Sequence, residues 1–194
     1  MHPFPFYLQL GFEHISNLTG YDHILFLVAL CAIYRVEQWK TILVLVTAFT
    51  VGHSTTLALV SFSNFTISTS IIKFLIPMTI FITSIHNVVG KRLNENLSKM
   101  NIKYIMALFF GLIHGMDFSN YFKALLFDES SVLIPLLGFN LGIELGQLLV
   151  ILIILTIAFG FLNFIGIKHR EWNLFISGCA AGMSLVSLFE NRFW

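Results

Sequence analysis

The sequence predicts an all-α protein: a polytopic membrane helix bundle of about six transmembrane helices, forming one domain over residues 1–194 and preceded by a short amphipathic N-terminal segment. Three observations predict it. Hydrophobic residues make up 57% of the chain and charged residues 11%, with a mean hydropathy of +0.84, far from the mixture of a soluble domain. Apolar stretches recur near 22–34, 41–62, 71–90, 103–118, 132–160 and 174–190, and most reach the ~20 residues that cross a bilayer core. Lysine and arginine also concentrate in alternate connections, as multi-pass topology requires.

The first stretch is the shortest. It spans a bilayer only if its helix begins within the preceding segment FEHISNLTGYDH. The other five are separated by short polar connections. Arg35 and Lys40 lie between the first and second, Lys91, Arg92, Lys99 and Lys103 between the third and fourth, and Lys168 and Arg170 between the fifth and sixth. Those eight face Lys73, Lys123 and Arg192 on the other side, so both termini are expected outside. Trp39 and Trp172 then fall at the inner interface and Trp194 at the outer one. Residues 1–20 show no positive n-region followed by an apolar core, so the segment is expected to be retained.

Some function classes are excluded early. A formal net charge of +1, without an extended basic cluster, gives no footprint for nucleic acid. Cys31 and Cys179 have no spacing that suggests a disulfide or a thiolate metal site, and read as small apolar residues. The expected partners are the lipid bilayer and a metal ion, with a homo-oligomer or larger membrane complex also compatible with the sequence.

The metal expectation comes from ionisable residues within or beside the apolar runs: His14, Asp22, His23, His53, His114, Asp117 and Glu144. Such groups are costly in hydrocarbon and mark a cavity, a partner or an ion. At ~1.5 Å per residue, His53 lies roughly 20 Å above Lys40 and His114 about 17 Å above Lys103. Asn140, Glu144 and Gln147, at i, i+4 and i+7, form one descending stripe. His14, Asp22, His23, His53, Ser54, His114, Asp117, Asn140 and Glu144 are therefore expected around one chamber in the outer half of the membrane. A bend at Asn17–Gly20 is needed to bring His14 and His23 together. His86 falls in the inner half and reads as a structural or gating residue.

Simpler roles compete at several positions. Asn140 and Gln147 can bond between helices, Ser54, Thr50 and Thr47 can bond back to their own helix, and His114 with Asp117 can form a closed pair. Glu144 needs a proton, a histidine or a cation. Imidazole with carboxylate suits nickel, zinc, copper or iron better than magnesium or calcium. Small-xxx-small ridges at Gly138/Gly142/Gly146, Gly111/Gly115 and Gly178/Gly182 predict close helix packing.

Four segments, HISNLTGYDHILFL, AFTVGHSTTLAL, FFGLIHGMDFSNY and FNLGIELGQ, resemble motifs of the HupE/UreJ family of bacterial membrane proteins, in its Bacteroidetes-type branch. They are spread over residues 14–147 in the expected order. The resemblance implies metal-ion passage, of nickel in particular, in support of hydrogenase or urease maturation. Asp117 stands where that motif more often has glycine, and Met78 falls about where many members carry a glutamate. Two functions follow as expectations: a nickel permease with a His/Asp/Glu site, or a membrane-embedded zinc hydrolase with Glu144 as general base. The exit route of the permease is expected past Thr47, Thr50, Thr83, Ser84, His86 and Asn87.

Overall fold

A computed structural model of the chain describes residues 3–18, 20–62, 68–89, 97–126 and 131–194. Among the described residues it contains seven α-helices: α1 (Pro3–Ser16), α2 (Asp22–Ala32), α3 (Trp39–Phe62), α4 (Thr69–Val89), α5 (Leu97–Leu125), α6 (Leu133–Phe159) and α7 (His169–Glu190). A 3₁₀ turn at Val36–Gln38 leads into α3, and a π turn at Gly160–Phe164 closes α6. No strand occurs among the described residues. The helical membrane bundle expected from composition is therefore present.

Among the described residues, five helical segments are long and apolar enough to cross a membrane: Val36–Phe62, Thr69–Val89, Asn101–Leu125, Leu133–Phe164 and His169–Glu190. The sixth expected stretch is present as a shorter apolar helix. Stretch 22–34 yields only the 11 residues of α2, about 16 Å, half of a hydrocarbon core. Interruptions at both ends limit it: Asn17, Leu18, Gly20 and Tyr21 are non-helical, and the chain turns at Ile33–Arg35. The N-terminal segment is itself a helix of 14 residues. Pro3 and Pro5 sit in its first turn, where a missing N–H breaks no helical bond.

Lys99 and Lys103 also move, from a connection into the first turns of α5, whereas Lys91 and Arg92 lie outside the described residues. Arg35, Lys40, Lys103, Lys168 and Arg170 still gather at one end of the bundle, called here the basic end.

Glycine contacts explain how the helices are brought together. A Cβ at Gly138, Gly142 or Gly146 would run into the backbone carbonyls of Phe4, Leu8 and Phe12 respectively, so α1 lies directly on α6, both advancing in the same direction. The ridge predicted on this helix is real, and its partner is the short N-terminal helix. Likewise Gly111 and Gly115 abut the carbonyls of Phe49 and His53, which seats α5 on α3. The Gly178/Gly182 ridge of α7 differs, with no neighbour within 4 Å of either position. Instead α7 packs on α4 and α2, with Ser177, Ala180, Ala181 and Ser184 buried.

Helix α2 occupies the centre, against α4, α6 and α7. Eight of its 11 residues are buried, as an all-round apolar helix requires. It carries His23 and Phe26 into the core, and its Ala29 carbonyl accepts a 2.7 Å bond from Asn87 Nδ2.

Candidate metal centre

Four histidines from four helices converge: His14 from α1, His23 from α2, His53 from α3 and His114 from α5. Ring centroids are 4.6 Å apart for His14–His23, 5.6 Å for His14–His53, 6.0 Å for His23–His53 and 5.2 Å for His23–His114. One nitrogen from each of His14, His23 and His53 falls within 4.8 Å of the others. Three imidazole nitrogens bound tetrahedrally at ~2.0–2.1 Å would stand roughly 3.3 Å apart. A contraction of about an ångström or so therefore converts this arrangement into a ligand set.

The local sequence explains the convergence. The glycine ridge of α6 draws α1 inward and delivers His14, while Gly115 presses α5 against the His53 carbonyl and delivers His114. The break in helix at Asn17, Leu18, Gly20 and Tyr21 lets His14 and His23 meet although nine positions apart. That is the bend the sequence called for. Phe118 and Phe139, stacked at 4.9 Å, and Phe49 wall the site; the His14 ring is 4.3 Å from Phe118 and the His114 ring 5.2 Å from Phe49.

Polar accounting identifies this as a site for something. His14 Nε2, His23 Nε2, both nitrogens of His53 and His114 Nδ1 are buried without a hydrogen-bond partner. Each unsatisfied buried group costs roughly 1–3 kcal/mol. Native interiors rarely tolerate five such atoms in one place. Nitrogen donors aimed into an aromatic-walled space fit zinc, nickel, copper or iron, and fit magnesium or calcium poorly.

The remaining contact of His114 shows how its free nitrogen is set. Thr79 Oγ1 donates to the Ile76 carbonyl at 2.7 Å and lies 3.0 Å from His114 Nε2. With the hydroxyl proton committed to Ile76, the Thr79 oxygen accepts from His114 Nε2–H. That bond fixes the tautomer whose lone pair is on Nδ1, the unpartnered atom. Sequence reasoning missed Thr79. The available signal was its place beside Met78, one turn before Thr83 and seven residues before His86 on the same helix face.

The other expected residues take separate positions. Asp22 and Asp117 are close enough to repel each other, and Lys73 attracts Asp117; none of them is hydrogen-bonded to a histidine among the described residues. Glu144 Oε1 accepts a 2.8 Å bond from Thr47, and Gln147 Oε1 a 2.7 Å bond from Thr50. Thr47 is six residues from His53 toward the basic end, about 9 Å along the helix, so Glu144 forms a polar seam between α3 and α6 below the histidines. Ser54 bonds back to the Thr50 carbonyl at 2.7 Å. Asn140 Oδ1 is buried without a partner. Cys31 is buried and Cys179 exposed, neither within the three-histidine group.

His86 stays apart from the cluster, lining a cavity with Thr83 and Asn87 nearer the basic end. Thr47 and Thr50 face α6 instead, so the two halves of the expected exit route do not join.

Neither a curated protein nor a solved structure matches the chain. The family model described as HupE / UreJ protein matches residues 1–192, essentially the full length, and includes every helix that supplies a histidine. The chain belongs to the HupE/UreJ family.

Proposed function

We propose that this protein is a divalent transition-metal permease of the bacterial inner membrane, with nickel as its cargo and both termini outside. The family is associated with nickel and cobalt transport. The observation that carries the reading is the set of five unpartnered imidazole nitrogens drawn from four helices. His14, His23, His53 and His114 capture the ion, with Asp22 and Asp117 attracting it at the end away from the basic loops. Glu144 supplies the next negative charge along the path, and Asn140, Gln147, Thr47 and Ser54 hold the helices around it.

The interrupted α1–α2 pair supports transport. Broken helices beside an ion site recur in transporters, since non-helical backbone is tolerated in a membrane where it lines a binding cavity. The hydrolase alternative asks Glu144 to face a metal-bound water. Its Oε1 is instead engaged by Thr47, below the histidines, which favours passage over hydrolysis.

Nickel uptake into vesicles containing the purified protein tests the reading, alongside metal analysis of the same sample. Saturable uptake with nickel retained at the histidines is expected. A protein that binds no transition metal, or binds it and hydrolyses a lipid or peptide without passing any ion, overturns it.

A further inference from the structure

A cavity of 260 Å³ lies between α2, α4 and α5 toward the basic end, with Phe26 and Phe110 at one extremity and Lys103 among its lining residues. Resting on the permease reading, we infer that this cavity is the release chamber for the ion, that His86 is its receiving ligand, and that Phe26 is the partition between it and the histidine site.

Three observations support this assignment. First, Phe26 touches both compartments. It lines the cavity, and its ring centroid is 5.5 Å from that of His114. It is 1% exposed and stacked on Phe49 at 4.9 Å and 27°. A single aromatic ring thus separates imidazole from open space.

Second, a polar stripe on α4 bypasses that ring. Thr79 meets His114 Nε2 at 3.0 Å, Thr83 Oγ1 donates to the Thr79 carbonyl at 2.8 Å, and His86 follows at i+7 on the same face. Both Thr83 and His86 line the cavity. The stripe descends from the histidine site to the chamber over about 10 Å. The rest of the wall is mainly apolar, and His86 is its one imidazole among the described residues.

Third, size and charge suit release rather than storage. Six waters at about 30 Å³ each occupy roughly 180 Å³, so the cavity admits a divalent ion with its hydration shell restored. One imidazole and a hydroxyl hold such an ion far more weakly than three or four imidazoles. The Lys103 ammonium, 5.2 Å from the Tyr34 ring centroid, further disfavours residence of a cation near the exit. A strong site followed by a weak one gives direction to release.

Full-length protein in vesicles loaded with a nickel-sensitive dye tests the assignment through Phe26→Ala, His86→Ala and Thr83→Cys. Phe26→Ala should raise initial nickel influx severalfold with nickel stoichiometry unchanged, because it removes the partition and no ligand. His86→Ala should lower influx by roughly 10-fold or more, the effect of losing a metal-supporting group, with nickel affinity at the histidine site retained. Thr83→Cys, in a background lacking the native cysteines, should be modified by a membrane-impermeant thiol reagent only from the side of Arg35. Wild type that binds nickel but passes none overturns the permease reading and the chamber with it. Wild type that transports, with Phe26→Ala and His86→Ala matching its influx, overturns the chamber alone. Should Phe26→Ala fail to fold, modification of Thr83→Cys from the opposite side, or none from either side, overturns it equally.

Discussion

Replacing His53 with leucine removes the imidazole that contributes most to the polar imbalance of the core while keeping a similar volume. Both ring nitrogens of His53 are buried without partners, and the residue is 0% exposed. At roughly 1–3 kcal/mol for each unsatisfied group, the metal-free fold gains up to about 2–6 kcal/mol from the change, less whatever leucine loses in imperfect packing. The metal-bound form behaves oppositely. Nickel at 100 times its dissociation constant stabilises the wild type by ≈ 2.7 kcal/mol, an increase of about 5–10 °C in Tm at ~2–4 °C per kcal/mol. His53→Leu should abolish that increment. Differential scanning fluorimetry on Trp39, Trp172 and Trp194 reads both effects in one sample set: a metal-free variant at least as stable as wild type, and no response to nickel. A variant that melts several degrees lower without metal, or keeps the full nickel shift, refutes the claim that His53 is maintained as a ligand.

Three further substitutions probe the supports of the site. Gly142→Ala drives a methyl into the Leu8 carbonyl and should cost about 1–3 kcal/mol, freeing α1 with His14; a lower Tm and faster proteolysis at residues 17–21 report it. Thr79→Val leaves His114 Nε2 without its acceptor and should weaken nickel binding by roughly 10–100-fold, with Thr79→Ser restoring it; equal affinity in all three proteins disproves the tautomer argument. Glu144→Gln can keep the Thr47 bond through its amide oxygen while removing the charge, so nickel uptake should fall by roughly 10–100-fold; unchanged uptake would make Glu144 a helix-packing residue.

Much of the architecture was legible because membrane spans advertise themselves by length. Four of the apolar stretches match helices within a few residues, whereas 103–118 underestimates α5, which runs from Leu97 to Leu125. The polar residues of its last two turns, Asp117, Ser119, Asn120 and Lys123, ended the apolar pattern without ending the helix. Helix α1 was harder to recognise. Its buried side, Tyr7, Gly11 and Ile15, recurs every fourth residue, but the segment is too short and too polar elsewhere to register as a span.

Depth along a helix could be read from sequence; direction around the bundle could not. Counting residues from the basic end correctly brought His53 and His114 to one level. The same counting placed Glu144 with them, yet its side chain meets Thr47 and leaves the histidines to an aromatic wall. Which neighbour a face meets is a tertiary fact. The glycine ridges make the point most directly, since Gly138/Gly142/Gly146 and Gly178/Gly182 share one spacing and only the first is covered by another helix.

The same limit explains why α1 was undervalued. Helix α6 is apolar on nearly every face, so its sequence offers no reason to prefer one partner. Its glycines provide that reason, because only a backbone can fill the groove they leave, and α1 lies in it with Phe4, Leu8 and Phe12 in turn. Once α1 is seated, His14 Nε2 is buried without a hydrogen-bond partner, beside the rings of His23 and His53. Three residues without side chains on one helix therefore determine whether a histidine on another becomes a ligand. On this reasoning the glycine groove and the metal centre are one construction, and loss of either should be seen as loss of nickel binding.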